Sequence, residues 1–306
     1  MTAELRGDER PPGTGPQDGS GPRDGAAPGY RHTRTLSVLT EARRQLRRRR
    51  TQLTFVLLVL LPIVMVLAFQ FGPSSDERDS DNGGFGLVDL ATSGAANFTM
   101  FALLVSTSFL LVVVVALFCG DAVASEASWG SLRYLLAAPV PRGRLLGVKL
   151  TVGLIFSVIA IAVLISTCLA VGTAAFGWEP LRAAVGGEVS AAEAVWRVLA
   201  AAGYIAVMLL PVAGLAFLLS VSTDAPLGAV GGAVFLHILS NILDAITALG
   251  DLRNLLPTRY SYAWIGLLSS PAQTDDMVRG ALAAVAYTAV FFSLAWWRFM
   301  RKDVTS

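Results

Sequence analysis

From residue 53 onward the chain is a succession of long apolar runs separated by shorter polar gaps. The runs lie at about 53–71, 98–119, 150–171, 198–221, 227–249 and 281–297. Each is close to the ~20 residues an α-helix needs to cross the hydrocarbon core of a bilayer, so the pattern predicts six membrane-spanning helices. Pro62 and Pro211 fall inside two of the runs and predict kinks. In lipid such breaks are tolerated where neighbouring helices satisfy the freed backbone groups. Ahead of the first run, residues 34–50 read RTLSVLTEARRQLRRRR, with Leu36, Leu39 and Leu46 roughly on one helical face and arginines around them. This predicts an amphipathic helix lying on anionic headgroups, or more simply the basic flank that orients the first span. Residues 1–30 are rich in Gly, Pro and Asp and hold no apolar run. They are expected to be a disordered tail, leaving 31–306 as one membrane domain. No charged-then-apolar leader with a small-residue cleavage site opens the sequence.

Composition agrees with this reading. The chain is 54% hydrophobic and 15% charged, against about 25% charged in soluble domains, and its mean hydropathy is +0.60. The placement of charge matters more than the net +2. Alternating the six spans puts fifteen basic residues, Arg31 to Arg50, Arg133 to Lys149 and Arg298 to Lys302, on one side. Six, from Arg78 to Arg279, fall on the other. The positive-inside rule then predicts that both termini are cytoplasmic. The two cysteines, Cys119 and Cys168, sit in apolar runs near opposite membrane faces, so a disulfide between them is not expected. A nucleic-acid role for the arginine cluster is disfavoured because it abuts a span directly. Asn97-Phe98-Thr99 matches a glycosylation sequon but also lies against a span.

On this topology one inner loop is minimal, Ser222 to Pro226, and the other, 120–149, is nearly thirty residues: GDAVASEASWGSLRYLLAAPVPRGRLLGVK. The expected structure is a short helix from Asp121 to about Ala137. Asp121 and Glu126 in its first turns would complement the helix dipole, and Leu132, Leu135 and Leu136 would share a face. Trp129 and Tyr134 suit the headgroup level. Gly130 inside a helix costs ~1 kcal/mol relative to alanine, which close approach of another backbone would explain. Pro139 and Pro141 stop the helix, Arg142, Gly143 and Arg144 turn the chain, and Lys149 is expected to snorkel at the start of the third span. Such a segment is suited to docking on something.

The run Glu126, Gly130, Ser131, Leu132, Leu135, Leu136, Pro139, Arg142, Leu145, Lys149 resembles the cytoplasmic loop of ABC transporter permeases of the type-two, or export, class. Ser131 stands where that pattern has Thr, and Pro141 where it has Ser. The layout of six spans, inward termini and an amphipathic helix before the first span is similar to the same family. The resemblance covers 31–306 in layout and 120–149 in motif. It implies an all-α permease without ATPase chemistry, paired with a second permease copy and with a separate ABC ATPase subunit that carries ATP and Mg. ATPase closure would push on a coupling helix at 121–137. The ATPase-coupling residues would be Glu126, Gly130, Leu132, Arg133, Leu135, Leu136, Pro139 and Arg142. Glu126 and Arg133 would make charged contacts, and Leu132 and Leu135 would fill an apolar groove. It also implies a bacterial plasma (inner) membrane. The chain contains no Gly-x-x-x-x-Gly-Lys-Ser/Thr: its two lysines, Lys149 and Lys302, follow Val148 and Arg301. It therefore lacks that phosphate cradle, and no cofactor is expected on this chain.

Polar residues inside the runs offer further candidates. His237, Asn241 and Asp244 share one face of the fifth run. They line a translocation path, relay protons, or simply hydrogen-bond between helices. With no second histidine in any span, a His-based metal site is poor. Gly228 and Gly232 form a Gly-x-x-x-Gly pair suited to close helix packing. In the last outer loop, Pro257, Tyr260, Tyr262 and Trp264 belong to an aromatic stretch bracketed by Pro257 and Pro271. It either lies at the outer interface or, as the resemblance implies, re-enters the membrane as an outer gate. The competing readings are a secondary transporter using the His237/Asn241/Asp244 face and a non-transporting ATPase-linked scaffold. An intramembrane serine hydrolase is disfavoured by the absence of a Gly-x-Ser-x-Gly elbow. The substrate expected of an exporter is amphipathic or lipid-like, because the spans carry no dense charge lining. Membrane lipids are the remaining expected partner.

Overall fold

The computed structural model describes residues 37–71, 87–128, 141–182, 188–269 and 271–301. Predicted features outside these ranges are the 1–30 tail, Leu36, and, within the segment expected to dock, Trp129, Gly130, Ser131, Leu132, Arg133, Tyr134, Leu135, Leu136, the expected helix end near Ala137, and Pro139.

Among the described residues six helical segments are long and apolar enough to cross a membrane. Five lie where the apolar runs predict, while the run at 98–119 is divided, its first half in a separate shorter helix (Ala95–Ser108) and the long helix shifted to Leu110–Ser128. Among the described residues the chain is helical apart from one two-stranded ribbon, the architecture of a multi-pass membrane protein. In chain order the elements begin with a short helix α1 (Val38–Leu46), then α2 (Arg49–Phe71) and α3 (Leu87–Thr92). They continue with α4 (Ala95–Ser108), α5 (Leu110–Ser128) and α6 (Arg142–Phe176). The antiparallel strands β1 (Leu181–Arg182) and β2 (Glu188–Val189) follow. Next come α7 (Ala191–Met208), α8 (Leu210–Ser222) and α9 (Pro226–Ala245). Two 3-10 segments, Thr247–Leu255 and Ala263–Leu268, lead to the last helix, α10 (Asp275–Arg301).

Burial orders the bundle. In α5, 78% of the most apolar stretch is buried, against 17% in α2, α9 and α10, so α5 is central and those three are peripheral. It packs against α6, α8 and α9, while α10 packs mainly on α8 and α2 on α6. The outward side chains of α2, among them Leu53, Val56, Leu57, Leu60 and Val64, are exposed hydrophobics. A continuous apolar face of that length is tolerable only in lipid. Phe118, Phe156 and Phe55 interlock where α5, α6 and α2 meet, with centroids 5.7–6.2 Å apart. Cys119 and Cys168 are both buried free thiols.

Two spans are broken. Pro211 behaves as predicted: α7 ends at Met208, Leu209 forms the corner and Pro211 sits in the first turn of α8, where its missing N–H costs nothing. Pro62 stays inside a helix that runs unbroken from Arg49 to Phe71. The second break, at Phe109 (φ −142°, ψ −55°), has no proline. Just before it, the Thr107 hydroxyl donates to the Leu103 carbonyl (2.7 Å) and the Ser108 hydroxyl to the Val105 carbonyl (2.8 Å). Such back-bonding competes with the helical ladder and bends helices.

The 120–149 segment departs from expectation at both described ends. No new helix starts at Asp121. The span continues as α5 through Ser128, carrying Asp121 and Glu126 near its C-terminal end. Gly120 does not stop the helix; it lets α9 approach, and a Cβ there would stand 3.0 Å from Val230. Arg142 and Gly143 do not form a turn either. Pro141 caps α6, which starts at Arg142, and Gly143 lies under the Trp296 ring, where a Cβ would come within 2.8 Å.

Candidate functional site

At the end of the bundle that carries α1, nine polar side chains from five segments converge. Carboxylates near a helix C-terminus are disfavoured by the macrodipole, so Asp121 and Glu126 need cations, and α1, α2 and α6 provide them. Arg48 Nη1 donates to Asp121 Oδ2 (2.7 Å) and to Ser125 Oγ (3.3 Å). Arg50 bonds the other Asp121 oxygen. Lys149 Nζ donates to Glu126 Oε1 (2.6 Å) and to Glu41 Oε1 (3.2 Å). Arg44 Nη1 reaches the same Glu126 oxygen at 2.7 Å and lies 3.6 Å from Glu41. Two serines complete the joint: Ser220 Oγ of α8 accepts from the N–H groups of Val123 and Ala124 at 3.1 and 3.0 Å.

Glu126 is 1% exposed and Lys149 2%. The expectation that Lys149 snorkels to the surface is therefore corrected. It lies two turns inside α6, about 10 Å from Arg142, and its ammonium neutralises two buried carboxylates. Glu126 also differs from its expected setting on an exposed docking helix: it points into the bundle and is held by Lys149 and Arg44. It joins the end of α5 to the start of α6, the two helices that flank residues 129–140.

The same cluster fixes α1. The Ser37 side chain caps this helix by accepting from Thr40 N–H (3.2 Å). Glu41, a single carboxylate among arginines, turns inward, while Leu39 and Leu46 are 63% and 52% exposed. The apolar face predicted for this segment therefore faces outward and the acid faces the bundle. Glu41, Arg44, Arg48 and Arg50 were not legible as partners because nothing in an arginine-rich run marks which residues turn inward. The available signal was the rarity of lysine and of carboxylates inside apolar surroundings.

The opposite end is tied down by a second set. Arg197 of α7, 6% exposed, donates to the Leu267 and Ser269 carbonyls (2.7 and 2.9 Å) and to Glu193 (2.6 Å). Tyr204 hydroxyl donates to the Tyr260 carbonyl at 2.7 Å. The expected gate residues therefore divide. Trp264 is fully buried, Pro257 and Tyr260 are half-buried, and Tyr262 is 40% exposed. The segment is built of 3-10 turns packed on α7 and α10.

The polar face of α9 is only partly brought together. Asp244 faces Arg253 and Arg259, each at 3.5 Å, in the loop that follows. Asn241 donates to the His237 carbonyl one turn back (3.1 Å). The hydroxyl that joins α9 to that loop is Ser240, paired with Thr258 at 2.7 Å. Of the glycine pair, Gly232 packs on Leu219 of α8, while Gly228 meets only Ala225 of its own chain segment. No cluster of three metal-ligating side chains occurs among the described residues.

A search of curated proteins gives no match to this chain. A family model does match, over residues 63–305, which takes in Asp121, Glu126 and Lys149 but begins after α1. That model is DUF2705, described as a protein of unknown function, and by this match over most of its length the chain belongs to the DUF2705 family.

Proposed function

We propose that this chain is the membrane-spanning permease subunit of an ATP-driven exporter, working with a separate ABC ATPase subunit and a second permease copy. The basic end is the cytoplasmic end, as the positive-inside asymmetry implies. Residues 129–140 are the contact for the ATPase. The substrate is amphipathic or lipid-like, and the membrane is a bacterial plasma membrane.

The observation that carries this reading is the buried Glu126–Lys149 pair. Both residues belong to the motif that resembles the exporter loop, and they close the base of that loop at 2.6 Å. A push on 129–140 is then delivered to α5 and α6 together, with α1 and α2 attached through Arg44, Arg48 and Arg50. A loop serving only as a connector has no need of a lysine and two carboxylates buried at its base, since such groups carry a desolvation cost of several kcal/mol each. The secondary-transporter alternative draws less support, because Asp244 is engaged by Arg253 and Arg259.

The test is co-expression with ATP-binding subunits from the same genome. The wild-type chain is expected to retain one through purification and to stimulate its ATP hydrolysis, and Leu132→Asp to lose it. Retention of no ATP-binding partner by the wild type, or transport that runs on a proton gradient without ATP and weakens in His237→Ala, contradicts the proposal.

A further inference from the structure

The arginines around α1 divide between two directions. Arg44, Arg48 and Arg50 turn inward to Glu126 and Asp121. Arg43, Arg47 and Arg49 turn outward. All three are exposed, and among the described residues none has a carboxylate within ion-pair distance. Leu39 and Leu46 are exposed beside them. At 3.6 residues per turn, Leu39, Arg43, Leu46 and Arg47 fall within an arc of about 100°, so apolar and cationic side chains alternate on one face of α1. Arg49 heads a second exposed face. With Leu53, Val56, Leu60, Val64 and Leu67 it forms one stripe down α2. From Arg49 to Leu67 the stripe rises about 27 Å, close to the ~30 Å thickness of a bilayer's hydrocarbon core. The leucines and valines of the stripe belong in hydrocarbon, which puts the Arg49 guanidinium at the level of the headgroups.

We infer that this outward face, Arg43, Arg47 and Arg49 with Leu39 and Leu46 among them, binds anionic phospholipid in the leaflet at the basic end of the bundle. Lipid phosphates lie on the guanidiniums, and an acyl chain runs along the α2 stripe. Charge complementarity selects the headgroup. Three cations without counter-ions favour an anionic lipid by roughly fivefold for each arginine at the surface, and the guanidinium fork matches phosphate oxygens in pairs. A zwitterionic lipid brings its own cation to the same place and leaves the three arginines unneutralised. The leucines select a lipid over a water-soluble polyanion. RNA bound to the arginines would leave Leu39 and Leu46 in water, whereas a bilayer boundary offers phosphate and hydrocarbon on one surface. Lipid binding at this face needs no ATPase and holds or fails apart from the proposed function.

The test is native mass spectrometry of the full-length chain released from an equimolar mixture of phosphatidylglycerol and phosphatidylcholine. The wild type is expected to retain phosphatidylglycerol in preference. Arg43→Gln/Arg47→Gln/Arg49→Gln is expected to lower that preference by at least about fivefold, the effect of one arginine. Arg43→Lys/Arg47→Lys/Arg49→Lys, which keeps the charge, is expected to preserve it to within about twofold. A second measurement uses the unaltered chain in nanodiscs. Adding phosphatidylglycerol to phosphatidylcholine is expected to slow amide hydrogen exchange across Val38–Leu46 by at least about fivefold, and raised salt to abolish the slowing. A short single-stranded RNA added to the detergent-solubilised chain is expected not to slow it. Equal lipid preference in the wild type and the glutamine variant, or its loss in the lysine variant as well, overturns the inference. So does exchange across Val38–Leu46 that ignores phosphatidylglycerol, or that slows with RNA and not with lipid.

Discussion

Lys149 illustrates how much a single residue settles here. It stands two turns inside a membrane helix with Glu126 and Glu41 as its counter-ions. Removing one member of a buried ion group is far more damaging than never having had the group, because the remaining charge stays desolvated. Lys149→Met, which leaves both carboxylates to Arg44, is expected to cost about 3–5 kcal/mol of stability. The double variant Lys149→Met/Glu126→Gln is expected to recover at least half of that loss; thermal unfolding in detergent measures both. If the single and double variants melt together, the pair is not the joint described above. A second residue acts through having no side chain. Gly280 lies under the Tyr204 hydroxyl and Tyr260 Cβ, so closely that an added Cβ would overlap them. Gly280→Ala is expected to displace the Tyr204–Tyr260 hydrogen bond and destabilise by roughly 1–3 kcal/mol, again read by thermal unfolding. Neither role was legible in the sequence. Lysine at a span boundary ordinarily snorkels, and a lone glycine in an apolar run is ordinary in membrane helices.

At the scale of elements, the apolar runs located five of the spans closely, and the second only in part, because lipid imposes one simple requirement, about twenty residues of satisfied backbone. The corner at Leu209 followed from Pro211. The corner at Phe109 did not, since it arises from Ser and Thr hydroxyls bonding back to the helix, which no single residue announces. The docking segment was misjudged at its start for a related reason. Asp121 reads as the end of a span when its partners, Arg48 and Arg50, lie more than seventy residues earlier. The helix α1 has the most to lose if the cluster fails, being nine residues long and too short to be stable alone. Glu41→Ala/Arg44→Ala is expected to raise amide hydrogen exchange across Val38–Leu46 by at least about tenfold, the equivalent of 1.4 kcal/mol, while α5 and α6 keep their protection. Unchanged exchange in α1 would show that its exposed Leu39 and Leu46, lodged at the lipid interface, hold it without the cluster.

At the scale of the whole molecule, the two ends differ in how they are closed. One is held by a buried network of opposite charges that joins α1, α2, α5 and α6. The other is held by Arg197 and the Tyr204 hydroxyl gripping backbone carbonyls in and beside the second 3-10 segment. A charge network resists being pulled apart and so transmits force to several helices at once. Carbonyl contacts to short turns are individually weaker and suit a region that opens. This asymmetry fits the proposed exporter subunit, driven from the basic end. That drive is tested most directly by placing a photo-crosslinking amino acid at Leu132 and, separately, at Tyr262, in cells that make the chain at native levels. Irradiation is expected to join the Leu132 position to a polypeptide whose peptides include a Gly-x-x-x-x-Gly-Lys-Ser/Thr sequence, and not to join the Tyr262 position to it. Absence of that adduct from Leu132, or its formation from Tyr262, would rule out an ATPase acting at the basic end.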